Sequence, residues 1–365
     1  MLLMNNITTV GFPGLGIGDM ELNKIAFSIF GIADVRWYGI FITFGIVLAF
    51  LYSAWRGKRN EGIVTDDVID VGIFLVLFGI IGARLYYVLT TLDSGHYKTF
   101  LDVIAIWTGG IAIYGAVIGG ALAIVLVTKF KKIGTLKFCD MVVPGLILAQ
   151  AIGRWGNFFN GEAHGAIIGE TTVLDLFGAQ LTLPSGEGTL FHTLRMHLNG
   201  TAGWNFYHPT FLYESVWNLL GFALLNLLYS RKKFHGQVML SYFVWYGLGR
   251  TFIEGFRTDS LYIPGTTLRI SQCVGAACVI VGGALLIALS IKYRHRAPIS
   301  PAKKKGEVLA AASAEGEQAS SEAAEEQTSD ASTTLWGRVM ERMMINKKKE
   351  TNQEETEETN DGSEN

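Results

Sequence analysis

Arg154, Arg250 and Arg257 stand at the ends of apolar runs, each in polar company. Asn157, Asn160 and Glu162 follow the first, and Glu254 lies between the other two. Arg154 and Asn157 are three apart, so on a helix they share a face. Arg250, Glu254 and Arg257 follow the spacing i, i+4, i+7, which makes a second polar stripe. A guanidinium is a planar fork of donors that matches phosphate or carboxylate oxygens. Two such stripes facing one cavity suit an anion, most simply a phospholipid phosphate at headgroup depth. Further residues of the same kind begin or end neighbouring runs: Tyr38 beside Arg36 and Trp37, Arg84 beside Tyr86, then Tyr114, and His208 with Glu214. Ionisable groups at membrane depth are costly, which makes each a functional candidate. Each also has a plainer use: Arg250 and Glu254 as an ion pair between helices, Arg84 as an interfacial anchor, His208 as a surface histidine.

The elements that must position these residues are transmembrane helices. The chain has 365 residues, 50% hydrophobic and only 17% charged, which points to a polytopic membrane protein. A span needs about 20 mostly apolar residues. Seven stretches qualify, near 35–55, 67–90, 111–130, 140–158, 210–229, 237–256 and 272–292, so the fold class is all-α and polytopic. Gly115 and Gly119 sit four apart in the third, a spacing that suits close helix packing. Basic residues alternate between loops: Arg56, Lys58 and Arg59, then Lys129, Lys131, Lys132 and Lys137, then Arg231, Lys232 and Lys233, then Lys292, Arg294 and Arg296. The positive-inside rule puts those loops in the cytoplasm, the N-terminus outside and the C-terminus inside. Every polar cluster named above then falls at the outer ends of the spans. The first ~30 residues lack a basic start followed by an apolar block, so no cleavable leader is expected. Residues 1–298 form one membrane domain, with a small extracytoplasmic head at about 159–209 between spans four and five. Residues 299–365, rich in Ala, Glu, Ser, Thr and Lys, read as a disordered charged cytoplasmic tail.

The formal net charge of −2 offers no case for nucleic-acid binding. Cys139, Cys273 and Cys278 form no metal-like spacing and read as packing residues. No HExxH, GxSxG or P-loop pattern is present, which leaves metalloprotease, serine-hydrolase and NTPase readings without support.

The stretch "GRWGNFFNGEAHG", residues 153–165, resembles the signature of the prolipoprotein diacylglyceryl transferase family. "RWYG" (36–39), "GARLYYV" (82–88), "DMVVPGLILAQAIGR" (140–154), "HPTFLYES" (208–215) and "GRTFIEGFR" (249–257) resemble its other blocks in order, over roughly residues 30–292. The resemblance implies an integral enzyme of the bacterial plasma membrane, needing no metal or cofactor. It would transfer diacylglycerol from phosphatidylglycerol to the lipobox cysteine of a prolipoprotein. It carries roles onto Tyr38, Arg154, Asn157, Glu162, Gly165, Arg250 and Glu254. Two departures stand out. Tyr114 occupies a position where the family often has histidine, and Phe211 replaces a glutamine common in the HP motif.

That reaction makes three demands. A leaving phosphate gains charge and wants fixed cations, for which Arg154 and Arg250 are the candidates. The thiol, with a reference pKa of ~8.5, must lose a proton, and Tyr114, Glu162 and Glu254 all compete for the role of acceptor. The lipid must be positioned, a task for Tyr38, Arg84, Asn157, Asn160, Gly165, His208 and Arg257. The rival class is a transporter or binding module for an anionic solute. It would line both leaflets with polar groups. The inner halves of these spans read as apolar, which favours a one-sided site.

Overall fold

Runs of Leu, Ile, Val, Phe and Ala with few charges fold as long helices in a computed structural model. It describes residues 6–299 apart from 31–32, 93–96, 98 and 201–202. The expected charged tail lies, from residue 300 on, outside the described residues. The helices are α1 (Trp37–Arg56), α2 (Thr65–Thr90), the short α3 (Phe100–Ile104), α4 (Ile113–Phe130), α5 (Thr135–Asn160), the short α6 (Leu190–Leu194), α7 (Thr210–Tyr229), α8 (Gln237–Ile253) and α9 (Ile270–Lys292). Among the described residues, six are long and apolar enough to cross a membrane: α1 with the π-turn that follows it, α2, α4, α5, α7 and α9. The protein is thus a mostly helical membrane protein. The sixth expected span is the exception. α8 has 17 residues and is extended by the 3-10 turn Glu254–Phe256.

Short as it is, α8 runs along α5 from the level of Asp140 to that of Arg154. Gly236 N and Met239 N, at its start, donate to Asp140 near the beginning of α5. At its far end Arg250 meets Glu214, the same carboxylate that Arg154 touches from the end of α5. Helix α7 packs between them. Trp217 and Trp245 stack at 4.3 Å, and each indole N–H donates to the other's carbonyl, locking α7 to α8. On the other flank α2 packs closely on α4. A Cβ on Gly115 would stand 2.2 Å from the Gly82 carbonyl oxygen, so the backbones meet only because both positions are glycine.

Strands occupy the segments that are too polar or too short to span. They are β1 (Ile7–Phe12), β2 (Ile17–Asn23), β3 (Ile25–Ile29), β4 (Ala33–Arg36), β5 (Thr171–Leu176), β6 (Ala179–Pro184), β7 (Met196–Gly200) and β8 (Gly203–Tyr207). One antiparallel sheet has the order β2-β1-β7-β8, and β3-β4 and β5-β6 are separate hairpins. The register Val10↔Leu198 joins the N-terminal segment to the segment before α7. The four-stranded sheet therefore joins two distant stretches of the chain, one before α1 and one before α7. Val10, Phe12, Met196, Leu198, Tyr207 and Phe211 form its core, with Phe158 of α5 packed against them. That core seats the sheet on the ends of α5 and α7, where the arginine motifs lie.

Candidate active site

Helix α5 ends in the signature stretch. Asn157 O accepts from Gly161 N, which closes the helix in the left-handed conformation, φ 65°. One turn before that end, Arg154 projects toward α7. Its Nη2 lies 2.7 Å from Oε2 of Glu214, a carboxylate with only 5% of its side chain exposed. Arg250 on α8 donates from Nη1 to both oxygens of the same carboxylate, at 3.2 and 3.3 Å. Arg257, just beyond α8, brings Nη1 to 3.6 Å from Oε1. Three guanidiniums thus converge on one buried carboxylate.

A second carboxylate closes the ring. Glu254 Oε2 lies 2.8 Å from Arg250 Nη2 and 3.9 Å from Arg257 Nε, in charge contact though without hydrogen-bond alignment. Arg257 also forks onto Asp259, from Nε at 3.0 Å and Nη2 at 2.9 Å. Burial by itself would loosen the Arg257 proton. The Asp259 hydrogen bonds and the charges of Glu214 and Glu254 outweigh it and push that pKa up. Burial would likewise raise the Asp259 carboxyl, but Arg257 holds it below the usual range. This is a dense patch of fixed charge, with three cations facing three carboxylates, and the chain itself supplies the anion that such a fork binds.

The structure brings together Arg154, Arg250, Arg257 and Glu254 of the expected set, and spreads the rest around them. Tyr38 packs on the α5 backbone, where a Cβ on Gly156 would stand 3.0 Å from its Cδ2. Asn157 is half-buried one turn beyond Arg154, and Asn160 is buried with its Oδ1 unpartnered. Tyr114 is half-buried in the first turn of α4. Glu162 is exposed on the turn after α5, and no charge contact from it to the arginines is observed.

Three expected positions have structural work. Arg84 is buried, and four of its donors serve the carbonyls of Asp102, Val103, Gly109 and Gly110, which shape the segment before α4. His208 is fully buried. Its Nε2 meets Thr172 Oγ1 at 2.8 Å, its Nδ1 meets the Tyr213 hydroxyl at 3.2 Å, and burial pushes its pKa down to about 4. Gly165 runs so close to its neighbours that a Cβ would stand 2.6 Å from that of His208. Phe211, the departure from the usual glutamine, packs at a tilt against Phe158, with ring centroids 4.9 Å apart, in the core beneath the sheet. A polar side chain there would be buried among aromatics.

Two features exceed the sequence reading. Glu214 is the hub, although the sequence placed it only among the residues opening α7. At the opposite end, Lys232 was read as a loop charge but is 1% exposed. Its Nζ lies 2.8 Å from Glu61 Oε1 and 3.5 Å from Asp140 Oδ2, and Tyr229 donates to the same Glu61 oxygen. The helix ends away from the arginine ring are thus not wholly apolar. Their buried charges pair with one another, clamping the α1–α2 and α7–α8 connections onto α5.

Comparison with known proteins bears on this arrangement. Residues 24–288 match the family model described as prolipoprotein diacylglyceryl transferase. A Staphylococcus aureus (strain Newman) protein named phosphatidylglycerol–prolipoprotein diacylglyceryl transferase is 39% identical over 279 residues, which are 76% of this chain and 93% of the relative. A Listeria innocua protein of the same name is 41% identical over 279 residues, 76% of this chain and 94% of its own length.

Proposed function

The chain belongs to the prolipoprotein diacylglyceryl transferase family, and from this we propose that it transfers diacylglycerol from phosphatidylglycerol to a prolipoprotein lipobox cysteine. The peptide sulfur attacks the glyceryl carbon bonded to the phosphate oxygen. A carbon–sulfur bond forms as the carbon–oxygen bond breaks. The electron pair stays on oxygen, so glycerol phosphate leaves with one more negative charge than the diester carried. The product is a thioether.

The observation that carries this reading is the convergence of Arg154, Arg250 and Arg257 on a single carboxylate. Cations held before the reaction stabilise charge as it develops and need no reorganisation to do so. Arg154 and Arg250 receive the phosphate oxygens, and Arg257 completes the fork. Glu254, fixed between two arginines, suits orienting them better than taking a proton. Glu162, exposed near the signature turn, and Tyr114 stay as acceptors for the thiol proton. Tyr38, Asn157 and Asn160 position the lipid. Arg84, His208 and Gly165 act by shaping the loop and the head around it.

The protein resides in the bacterial plasma membrane in this reading, with α8 and its 3-10 turn as a seventh crossing. The head and arginine ring face the outer leaflet, the C-terminal tail extends into the cytoplasm, and residues 1–298 are the working unit. Two facts support that arrangement. The N-terminal strands pair with the segment before α7, so both lie on one side. The basic loops lie at the other end of the helices.

The test is transfer by purified protein in detergent, with phosphatidylglycerol labelled in its acyl chains and a synthetic lipobox peptide. Label should reach the cysteine of the peptide and resist neutral hydroxylamine, which cleaves thioesters but spares a thioether and the acyl oxygen esters. A peptide whose cysteine is replaced by serine should stay unlabelled. Unlabelled cysteine peptide, with folded protein present, would sink the reading.

A further inference from the structure

One helical turn deeper than the arginine ring, the same three helices carry a second polar layer. Gln150 lies four residues before Arg154 on α5, Asn218 four after Glu214 on α7, and Tyr246 and Tyr242 four and eight before Arg250 on α8. At 1.5 Å per residue the first step down is about 6 Å. The layer is incompletely satisfied. Gln150 Nε2 donates to the Tyr242 hydroxyl at 3.0 Å, while Gln150 Oε1 is buried without a partner. Asn218 is 2% exposed, and its Nδ2 is likewise buried without a partner. The Gln150 amide also fits turned by half a revolution. The Tyr242 hydroxyl then donates to Oε1, and Nε2 becomes the free group.

Buried amides left unpaired are unfavourable, and in native structures such groups call for an explanation. Leucine would fill either position without that penalty. The neighbouring polar groups of the α5–α7 contact are paired: Ser215 donates to Ala151 O, and Trp155 donates to Ser215. At this depth, among the described residues, the buried side-chain groups without a partner are those of the two amides. With the Gln150 amide in that turned orientation, it and Asn218 offer two N–H donors at one depth, which call for two acceptors there.

Diacylglycerol supplies them. In a phospholipid the ester carbonyl carbons lie a few bonds from phosphorus, about 6 Å away in an extended arrangement, which equals one turn of helix. With phosphate in the arginine ring, the ester carbonyls arrive at the amide layer. We propose that Asn218 and Gln150 form a second recognition layer that donates hydrogen bonds to the ester carbonyls of the transferred diacylglyceryl group. The inference rests on the transferase reading above and adds to it a feature of substrate choice. The site selects diacyl lipids over dialkyl lipids with the same headgroup, and it fixes the glycerol so that the carbon bonded to the phosphate oxygen faces the sulfur.

The experiment compares diester phosphatidylglycerol with its diether analogue of equal chain length, which lacks only the carbonyl oxygens. Initial rates of transfer to the lipobox peptide are measured over a range of each lipid for the wild-type protein, Asn218→Leu, Gln150→Leu and Asn218→Ser. Each neutral hydrogen bond contributes about 2- to 12-fold, so two give the wild type about 5- to 150-fold higher kcat/KM on the diester. Each Leu variant should lower that ratio by about 2- to 12-fold through loss on the diester. Asn218→Ser, which keeps a donor, should recover part of it. Equal kcat/KM on both lipids in the wild type overturns the proposal. So does a Leu variant that loses equally on both, since that marks a packing role. If Asn218→Leu fails to accumulate in membranes, Gln150→Leu decides alone. Wild-type protein that labels the peptide from neither lipid refutes the transferase reading itself, and this inference with it.

Discussion

Replacing Glu214 by glutamine keeps the shape of the hub and removes its charge. Arg154 at 2.7 Å, Arg250 at 3.2 Å and Arg257 at 3.6 Å would then face each other with only Glu254 and Asp259 as counter-charges. Removing one partner of a buried ion pair typically costs about 3–5 kcal/mol, because the remaining charge is left uncompensated. For a chain of this size that corresponds to a fall in Tm on the order of 10 °C. The same change empties a ready anion site. A phosphate monoester should therefore stabilise Glu214→Gln, by about 2.7 kcal/mol at a hundredfold excess over its Kd, and wild type by less at the same concentration. The assay is thermal unfolding in detergent followed by tryptophan fluorescence, with and without glycerol phosphate. The stacked Trp217–Trp245 pair between α7 and α8 reports on the helices that carry the hub. A variant melting within about 2 °C of wild type would refute the hub role. Phosphate that stabilises wild type more than the variant would refute the equivalence of carboxylate and phosphate in this site.

Arg154→Lys keeps the charge but loses the fork, and transfer should fall by at least about tenfold with normal membrane insertion; near-normal turnover would remove Arg154 from phosphate binding. Tyr114→Phe should lose at least about tenfold in initial rate, the effect of one hydrogen bond to a charged group, and Tyr114→His should retain more; a Phe variant equal to wild type would leave Tyr114 an interfacial anchor. Burial pushes the folded His208 down to about 4, against 6.5 for a free imidazole, so the unfolded chain binds the extra proton first as pH falls. Its contribution to stability is complete above pH 6.5 and is lost between 6.5 and 4, about 3 kcal/mol at most; melting curves across that range should slope less for His208→Gln, and parallel slopes would exclude it. Truncation after residue 298 should leave transfer largely intact, since the family match ends at residue 288; inactive but inserted truncated protein would bring the tail into the working unit.

Local spacing made much of the ring readable before any coordinates. Arg250, Glu254 and Arg257 fall on one stripe because helix periodicity alone puts them there, and the structure pairs them as that stripe requires. The hub could not be read in this way. Glu214 shares a helix with none of its partners, and one carboxylate in an amphipathic stretch looks like many others. The same limit hid the burial of Lys232, whose partner Glu61 lies 171 residues away. The β strands of the first 36 residues were missed for a related reason. "ITTVGF" and "IGDMELN" are short, and what makes them a sheet is pairing with β7 near residue 198. Arg84 shows the opposite error. Its position suggested a ligand contact, but backbone carbonyls of a nearby loop, which no residue type announces, occupy its donors.

The pairing of β1 with β7 also sets a timetable for biogenesis. Val10 leaves the ribosome nearly 190 residues before its partner Leu198. At about 5–20 residues per second the wait is about 10–40 s. Meanwhile four long helices must be threaded into the bilayer. Throughout that interval β1 and β2 exist only as an isolated hairpin, a unit of marginal stability in water with an open edge toward any neighbouring strand. The nascent enzyme is thus most vulnerable to misassembly and proteolysis before it has any activity to lose. Lesions in β1 or β7 should accordingly act on how many molecules mature, and leave the turnover of each survivor nearly untouched.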